Sequence, residues 1–190
     1  MSNKLELRMY GLVPYNISPI QQAIQFGHAV VEYGQKVKGH NYEQASVIYN
    51  DWANNWKTFI ILNGGTTNYK TSLEDGLPFG SLNNHLLTLM DNNIDFAQFN
   101  EPDLGDQLTA VVFIVDERVF NKKKYPDFED WVIENYGDLI TGGGNSYQVA
   151  QRIKESKSKE DKKVYKEWID LVGGDKNVFL RDFLKNFRLA

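Results

Sequence analysis

The sequence predicts an α/β fold: a mixed four-stranded sheet with helices packed on it, followed by a helical C-terminal extension. Three observations lead there. Four runs rich in apolar, strand-forming residues stand at 5–13, Thr58–Asn63, Ile94–Phe99 and Leu108–Val115. Helical periods lie between them, in the order strand, helix, helix, strand, helix, strand, strand, and helices inserted between strands imply a mixed sheet with helices on it. After Asn121 no strand pattern remains. The expected division is an α/β domain over 1–121 and a helical extension over 122–190. The extension is too short and too aromatic on one face for an independent tail, so it is expected to pack back onto the sheet.

The first strand ends before Ser18-Pro19, where serine serves as N-cap and proline fits the first helical position. Ile20, Ile24, Gly27 and Val31 follow at i, i+4, i+7 and i+11, the spacing of one buried helical face ending near Tyr33-Gly34. A second helix is expected over Asn41–Trp56, with Ala45, Ile48, Tyr49 and Trp52 in register. Thr58–Asn63 is short and continuously apolar, as in a strand buried on both faces. Residues 64–80 form a long polar loop, and loops of that length in compact domains are more often functional than idle. Ser81 is expected to cap a third helix through about Asp91, with Leu82, Leu86, Leu89 and Met90 as its apolar side. Leu108–Val115 is the strongest strand in the chain.

The extension begins at Lys122-Lys123-Lys124. Pro126-Asp127 opens a helix carrying Phe128, Trp131 and Val132, and Gly142-Gly143-Gly144 breaks the chain. A helix is expected from Ser146 to Val172, interrupted near Ser156–Ser158, with Val164, Trp168, Leu171 and Val172 buried. Gly173-Gly174 ends it. Asp175 caps a last helix bearing Leu180, Phe183, Leu184 and Phe187.

Composition narrows the function classes. The chain of 190 residues is 42% hydrophobic and 24% charged, ordinary for a globular protein. The absence of cysteine excludes disulfides, thiolate metal sites and a cysteine nucleophile. No window approaches 18 uncharged apolar residues and no leader is evident, so a cytoplasmic protein with no membrane association is expected. The net charge of −4 argues against a surface made throughout for nucleic acid. Residues 1–121 hold 7 basic and 13 acidic side chains, whereas 122–190 hold 14 and 12, so any basic surface belongs to the C-terminal third.

Two constellations carry chemistry. Gln21, Gln25, His28 and Glu32 lie at i, i+4, i+7 and i+11, opposite the apolar stripe of the first helix. Such a line positions a water or a substrate carbonyl, with Glu32 holding the His28 imidazole in one tautomer. The plain reading is a solvated helix face. The second runs Phe99-Asn100-Glu101-Pro102-Asp103-Leu104-Gly105-Asp106-Gln107-Leu108-Thr109, three carboxylates in six positions between two strands. Crowded carboxylates favour one another's protonated forms, which suits a general base near neutral pH. The plain reading here is a polar hairpin connection, in which Asp, Pro and Gly are expected. His40 and His85 lack a second ligand at metal spacing. Gly64-Gly65 lacks the rest of a phosphate loop, and no serine-hydrolase elbow is present. The lysines of 152–166 alternate with acids as on a solvated face, although their basic members can reach phosphates.

Together the constellations resemble the type 2 peptidyl-tRNA hydrolases over roughly residues 5–120. Gln25-Phe26-Gly27-His28-Ala29 matches the Gln-x-x-His-Ala of that family's first helix, and Phe99–Val112 occupies the place of its acidic segment and following strand. The form is similar to divergent, often phage-encoded relatives. The resemblance implies a metal-independent hydrolase without a cofactor, cleaving the ester between a peptide or amino acid and tRNA through an activated water. It implies Glu101 or Asp103 as the acidic group, Thr109 as the strand hydroxyl, and Gln25 and His28 as organisers of the first helix. Gln21, Gln25 and Glu32 are expected to contact substrate, whether tRNA or another nucleotide ester. Two departures stand out. Gln21 occupies the position of a catalytically important lysine, and the family's Asp-Ala-Gly-Arg-Thr-Gln segment is replaced by a shorter acidic one. A neutral amide for a cation typically costs on the order of a hundredfold or more in rate. The competing expectation is therefore a binding or structural module that keeps the fold without the chemistry, its aromatic extension serving a partner or a homodimer.

Overall fold

A computed structural model describes residues 4–39, 43–67, 80–137 and 146–190 of the chain. His40, the start expected for the second helix at Asn41, most of the long polar loop (68–79) and Gly142–Gly144 lie outside the described residues. Two compact units form: residues 1–116 with 184–190, and residues 117–183.

The first unit is built on strands β1 (Leu7–Val13), β2 (Thr58–Asn63), β3 (Phe96–Glu101) and β4 (Gln107–Asp116). Their order is β2-β1-β4-β3, with β1 parallel to β2 and both other pairs antiparallel, so the sheet is mixed. Helices α1 (Pro19–Lys36), α2 (Glu43–Asp51) and α3 (Ser81–Asp91) join the strands, and a π-helical turn Trp52–Trp56 follows α2. The ends of β1 and β3 and the start of β4 consequently share one edge of the sheet, where α1 begins.

Helix α1 starts where Ser18 and Pro19 direct. The Ser18 hydroxyl accepts the Gln21 N–H, and the Gln21 amide oxygen accepts from the Ser18 N–H at 3.0 Å, a reciprocal capping box. The face it buries is not the expected one. Ile20, Ile24 and Val31 are 74%, 49% and 58% exposed, and Gly27 is exposed as well. The sheet receives Phe26, Ala29, Tyr33 and Val37 instead, packed with Met9 and Val13 of β1, Ala97 of β3 and Ala110 and Val112 of β4. Helix α1 is apolar on two opposite sides, and the larger aromatic side chains lie on the buried one.

Two further expectations fail for related reasons. Strand β2 is not buried on both faces. It borders the sheet, only Leu62 of it is buried, and Phe59 is 47% exposed. Its outer edge is partly covered by the C-terminal residues: the Asn63 N–H donates to the Arg188 carbonyl and the Ala190 N–H to the Ile61 carbonyl. Helix α3 takes Gly80 as its N-cap, while the Ser81 hydroxyl accepts the Thr66 N–H. It buries Leu82, Leu86 and Leu89 but leaves Met90 exposed.

The second unit comprises α4 (Glu117–Phe120), α5 (Phe128–Tyr136), α6 (Ser146–Glu155), α7 (Lys159–Leu171) and most of α8 (Asp175–Leu184). The break expected near Ser156–Ser158 separates α6 from α7, and Ser158 caps α7 by accepting the Asp161 N–H. Its core joins Phe128 and Val132 to Ile153, Val164, Trp168 and Val172, whereas Leu171 is exposed. Arg181, only 2% exposed, donates to the Asp127 carboxylate at 2.7 Å, to the Tyr125 carbonyl at 2.9 Å and to the Arg118 carbonyl. Burial pushes the Asp127 carboxyl up, but the hydrogen bonds from Lys122 and Arg181 outweigh it and hold the group below the ordinary aspartate range.

Two stability predictions follow from these contacts. A Cβ at Gly11 would sit 2.2 Å from the Phe26 ring, so Gly11→Ala should lower stability by about 1–3 kcal/mol in urea denaturation. An unchanged midpoint would mean that α1 does not lie so close on β1. The depressed Asp127 pKa contributes stability that is complete above the unfolded value of about 3.9 and disappears as pH falls through the lower folded value. Below pH ~4, wild type should therefore lose more stability than Asp127→Asn, and parallel losses in the two proteins would contradict the assignment.

Candidate functional site

The site forms where α1 meets the connection between β3 and β4. That connection is short and tightly specified. Pro102–Leu104 make a single 3₁₀ turn, and Gly105 and Asp106 both take left-handed backbone angles, φ 69° and 62°. The Gly105 N–H closes onto the Pro102 carbonyl and the Asp106 N–H onto the Glu101 carbonyl, each at 3.0 Å. Glycine suits such an angle at no steric cost, and aspartate is among the few other residues that tolerate it.

The ladder between β3 and β4 is irregular just before this turn. Phe99 pairs with Ala110 and Asn100 with Leu108, so Thr109 has no partner residue across the ladder. Such a bulge re-aims a side chain. The buried Thr109 hydroxyl donates to the Gln25 side-chain oxygen at 2.8 Å and also lies 3.3 Å from the Phe99 carbonyl. The Gln25 side-chain nitrogen in turn donates to the Glu101 carboxylate at 2.5 Å. Glu101 uses its other oxygen to accept the Asp103 N–H at 3.3 Å. The amide can be placed only one way round: an ionised carboxylate accepts and never donates, so the NH₂ must face Glu101 and the oxygen must face the hydroxyl.

An open cleft of about 130 Å³ lies over this network, lined by Ile17, Gln21, Gln25, Glu101, Asp103 and Leu104. Four of the seven residues singled out by the sequence line it: Gln21, Gln25, Glu101 and Asp103. Thr109 sits behind it and reaches it through Gln25. The other two do not line it. The exposed His28 ring stacks on Phe99, centroids 4.5 Å apart and planes 19° from parallel. Glu32 is exposed, and neither it nor His28 makes a hydrogen bond or ion pair among the described residues, so the expected Glu32–imidazole contact does not form. Gln25 is also not on a solvated line with its three companions, being only 5% exposed.

Three residues were not singled out from the sequence as part of the site: Ser18, Ile17 and Leu104. Ser18 occupies the Gln21 amide oxygen, leaving only the NH₂ of Gln21 for the cleft. The pattern Ser-x-x-Gln before an apolar run signals this contact. Ile17 and Leu104 give the cleft two apolar walls, and nothing in their spacing marks them. Among the described residues no group of three or more acidic or histidine side chains is placed to hold a metal ion. Likewise no helix among them is long and apolar enough to cross a membrane.

No family model matches the chain, and a comparison with curated proteins finds no match.

Thr109→Val removes the hydroxyl that donates to the buried Gln25 oxygen while keeping side-chain volume. The expected cost is about 1–3 kcal/mol in urea denaturation, with Thr109→Ser close to wild type. Equal stability of the valine and serine variants would show that the amide is not held as described.

Proposed function

We propose that the chain is an ester hydrolase of the peptidyl-tRNA hydrolase type, releasing a peptide or amino acid from the terminal ribose of tRNA with an activated water. The observation that carries the reading is the Gln25 amide, fixed between Thr109 and Glu101 at the wall of an open cleft. A glutamine NH₂ has two hydrogens. One is held by Glu101, and the second is available to an ester carbonyl oxygen in the cleft. Each Glu101 oxygen accepts one hydrogen bond within the protein, and a carboxylate has room for about four, so the group keeps capacity for a water.

In this reading Glu101 takes a proton from the water as its oxygen bonds to the ester carbonyl carbon. The Gln25 N–H stabilises the negative charge that develops on the carbonyl oxygen. The carbon–oxygen bond to the ribose then breaks, Glu101 returns the proton to the departing ribose oxygen, and the products are a carboxylic acid and a free ribose hydroxyl. Thr109 positions Gln25. Asp103, whose carboxylate is exposed at the cleft, is the alternative base, and His28 supports the end of β3 by stacking on Phe99.

The test is hydrolysis of peptidyl-tRNA by purified protein, followed by release of labelled peptide. Glu101→Gln is isosteric and should lower kcat about 10²–10⁴-fold while leaving the unfolding free energy in urea within ~1 kcal/mol of wild type. Full activity in Glu101→Gln would rule out Glu101 as the base and transfer that role to Asp103. A second reading, a non-catalytic binding module, draws on one observation. Gln21, at the position where the resembled family carries lysine, turns its amide oxygen back onto Ser18. That reading gains if folded wild-type protein binds tRNA but shows no turnover.

A further inference from the structure

The ester-hydrolase reading leaves one prominent surface unused. Ile20, Ile24 and Val31, with Gly27 between them, form an exposed apolar stripe on the side of α1 turned away from the sheet. A Cβ at Gly27 would meet nothing within 4 Å, so the surface is open there. A helix in water ordinarily shows charged and polar residues on that side.

Resting on that reading, we propose that this stripe is the track for the acyl half of the substrate, which is then an ester of an extended, apolar peptide. Three observations favour this occupant. The stripe begins at the cleft: Gln21 lines the cleft and neighbours Ile24 at i+3 on the helix surface, and Ile17 and Leu104 continue the apolar surface into the cleft wall. Its charge suits the peptide half rather than the RNA half. Ile20, Ile24, Gly27 and Val31 carry no cation to meet a phosphate, and Glu101 and Asp103 in the cleft repel one. Its area suits a chain rather than a second copy. Three aliphatic side chains and a glycine fall well short of the roughly 1,600 Å² that a stable protein interface buries. The eleven residue steps from Ile20 to Val31 span about 16 Å, the length of about five residues of extended peptide. Glycine at the centre lets the peptide backbone approach the helix closely.

The experiment compares two tRNA esters with the same reacting residue: N-acetyl-glycyl-tRNA and N-acetyl-divalyl-glycyl-tRNA. The longer, apolar substrate should show a KM about tenfold lower at similar kcat. In Ile20→Ser/Ile24→Ser that advantage should vanish, with kcat and KM for N-acetyl-glycyl-tRNA unchanged. Equal KM values in wild type, or a preference that survives the double substitution, would overturn the track while leaving the ester-hydrolase reading intact. Absence of turnover on both esters would remove that reading instead. The track is then decided by titrating N-acetyl-divalyl-glycinamide into labelled full-length protein: amide shifts clustered at Ile20, Ile24 and Val31 support it, and shifts elsewhere or none overturn it. Sedimentation equilibrium closes the remaining case, since a dimer dissolved by the double substitution would assign the stripe to a second copy of the chain.

Discussion

The first unit turns on one buried amide. Gln25 comes from the second turn of α1, Glu101 from the end of β3 and Thr109 from the start of β4, 76 and 84 residues away in the chain. A polar side chain buried without partners costs about 1–3 kcal/mol, so such a group either finds a donor and an acceptor or destabilises the fold. Here the carboxylate can only accept, so it receives the amide NH₂, and the threonine hydroxyl donates to the amide oxygen that remains. The amide therefore has a single orientation, and through it α1 is tied to the end of β3 and the start of β4. The bulge at Thr109 belongs to the same arrangement, because in a regular ladder its hydroxyl would not face the helix that carries Ala110's neighbours.

The same network is what a reaction site needs. Preorganisation is effective when groups are held before substrate arrives, by contacts that do not consume all their capacity. Among the described residues one Gln25 N–H and further Glu101 lone pairs have no partner, and both residues line an open cleft rather than a sealed core. A purely structural polar network would gain nothing from that spare capacity. Gln21 pulls the other way, because its carbonyl oxygen is spent on the cap of its own helix and only a neutral amide group remains where a cation would strengthen binding of a developing charge.

Most local signals in the sequence were read correctly, Ser81 being an exception because its hydroxyl is taken by the Thr66 N–H. Ser18-Pro19, Gly105 and the pause at Ser156–Ser158 mark caps and turns, whose chemistry acts within a few residues, and the structure places them as such. Strand positions were legible for the same reason, to within two residues. The face of α1 was not. Ile20-Ile24-Gly27-Val31 and Phe26-Ala29-Tyr33-Val37 are both apolar at helical spacing, and periodicity reports that a stripe exists without saying which stripe is covered. The choice was made by shape: Gly11 in β1 opens a space that the Phe26 ring fills, a fit between residues fifteen positions apart that no single-helix pattern contains. Glu101 and Thr109 were legible as types, but their tie to Gln25 depends on a one-residue bulge that spacing does not announce.

The misread stripe has its own physical meaning. An exposed isoleucine by itself needs no explanation, since much of any protein surface is apolar. Several in helical register, opposite a face already buried, are different, because each turn of α1 then leaves apolar area in water without a structural return. Stability alone would favour lysine or glutamate at Ile20, Ile24 and Val31, where long charged side chains cost nothing to hydrate and discourage aggregation. On the proposed hydrolase reading, a surface that departs from that expectation beside the cleft answers two requirements of one substrate: an ester to be attacked and a hydrophobic chain to be held while it is. The Gln25 clamp and the outward stripe belong to the same helix, so the packing that seats α1 on the sheet also fixes where that stripe runs relative to the cleft.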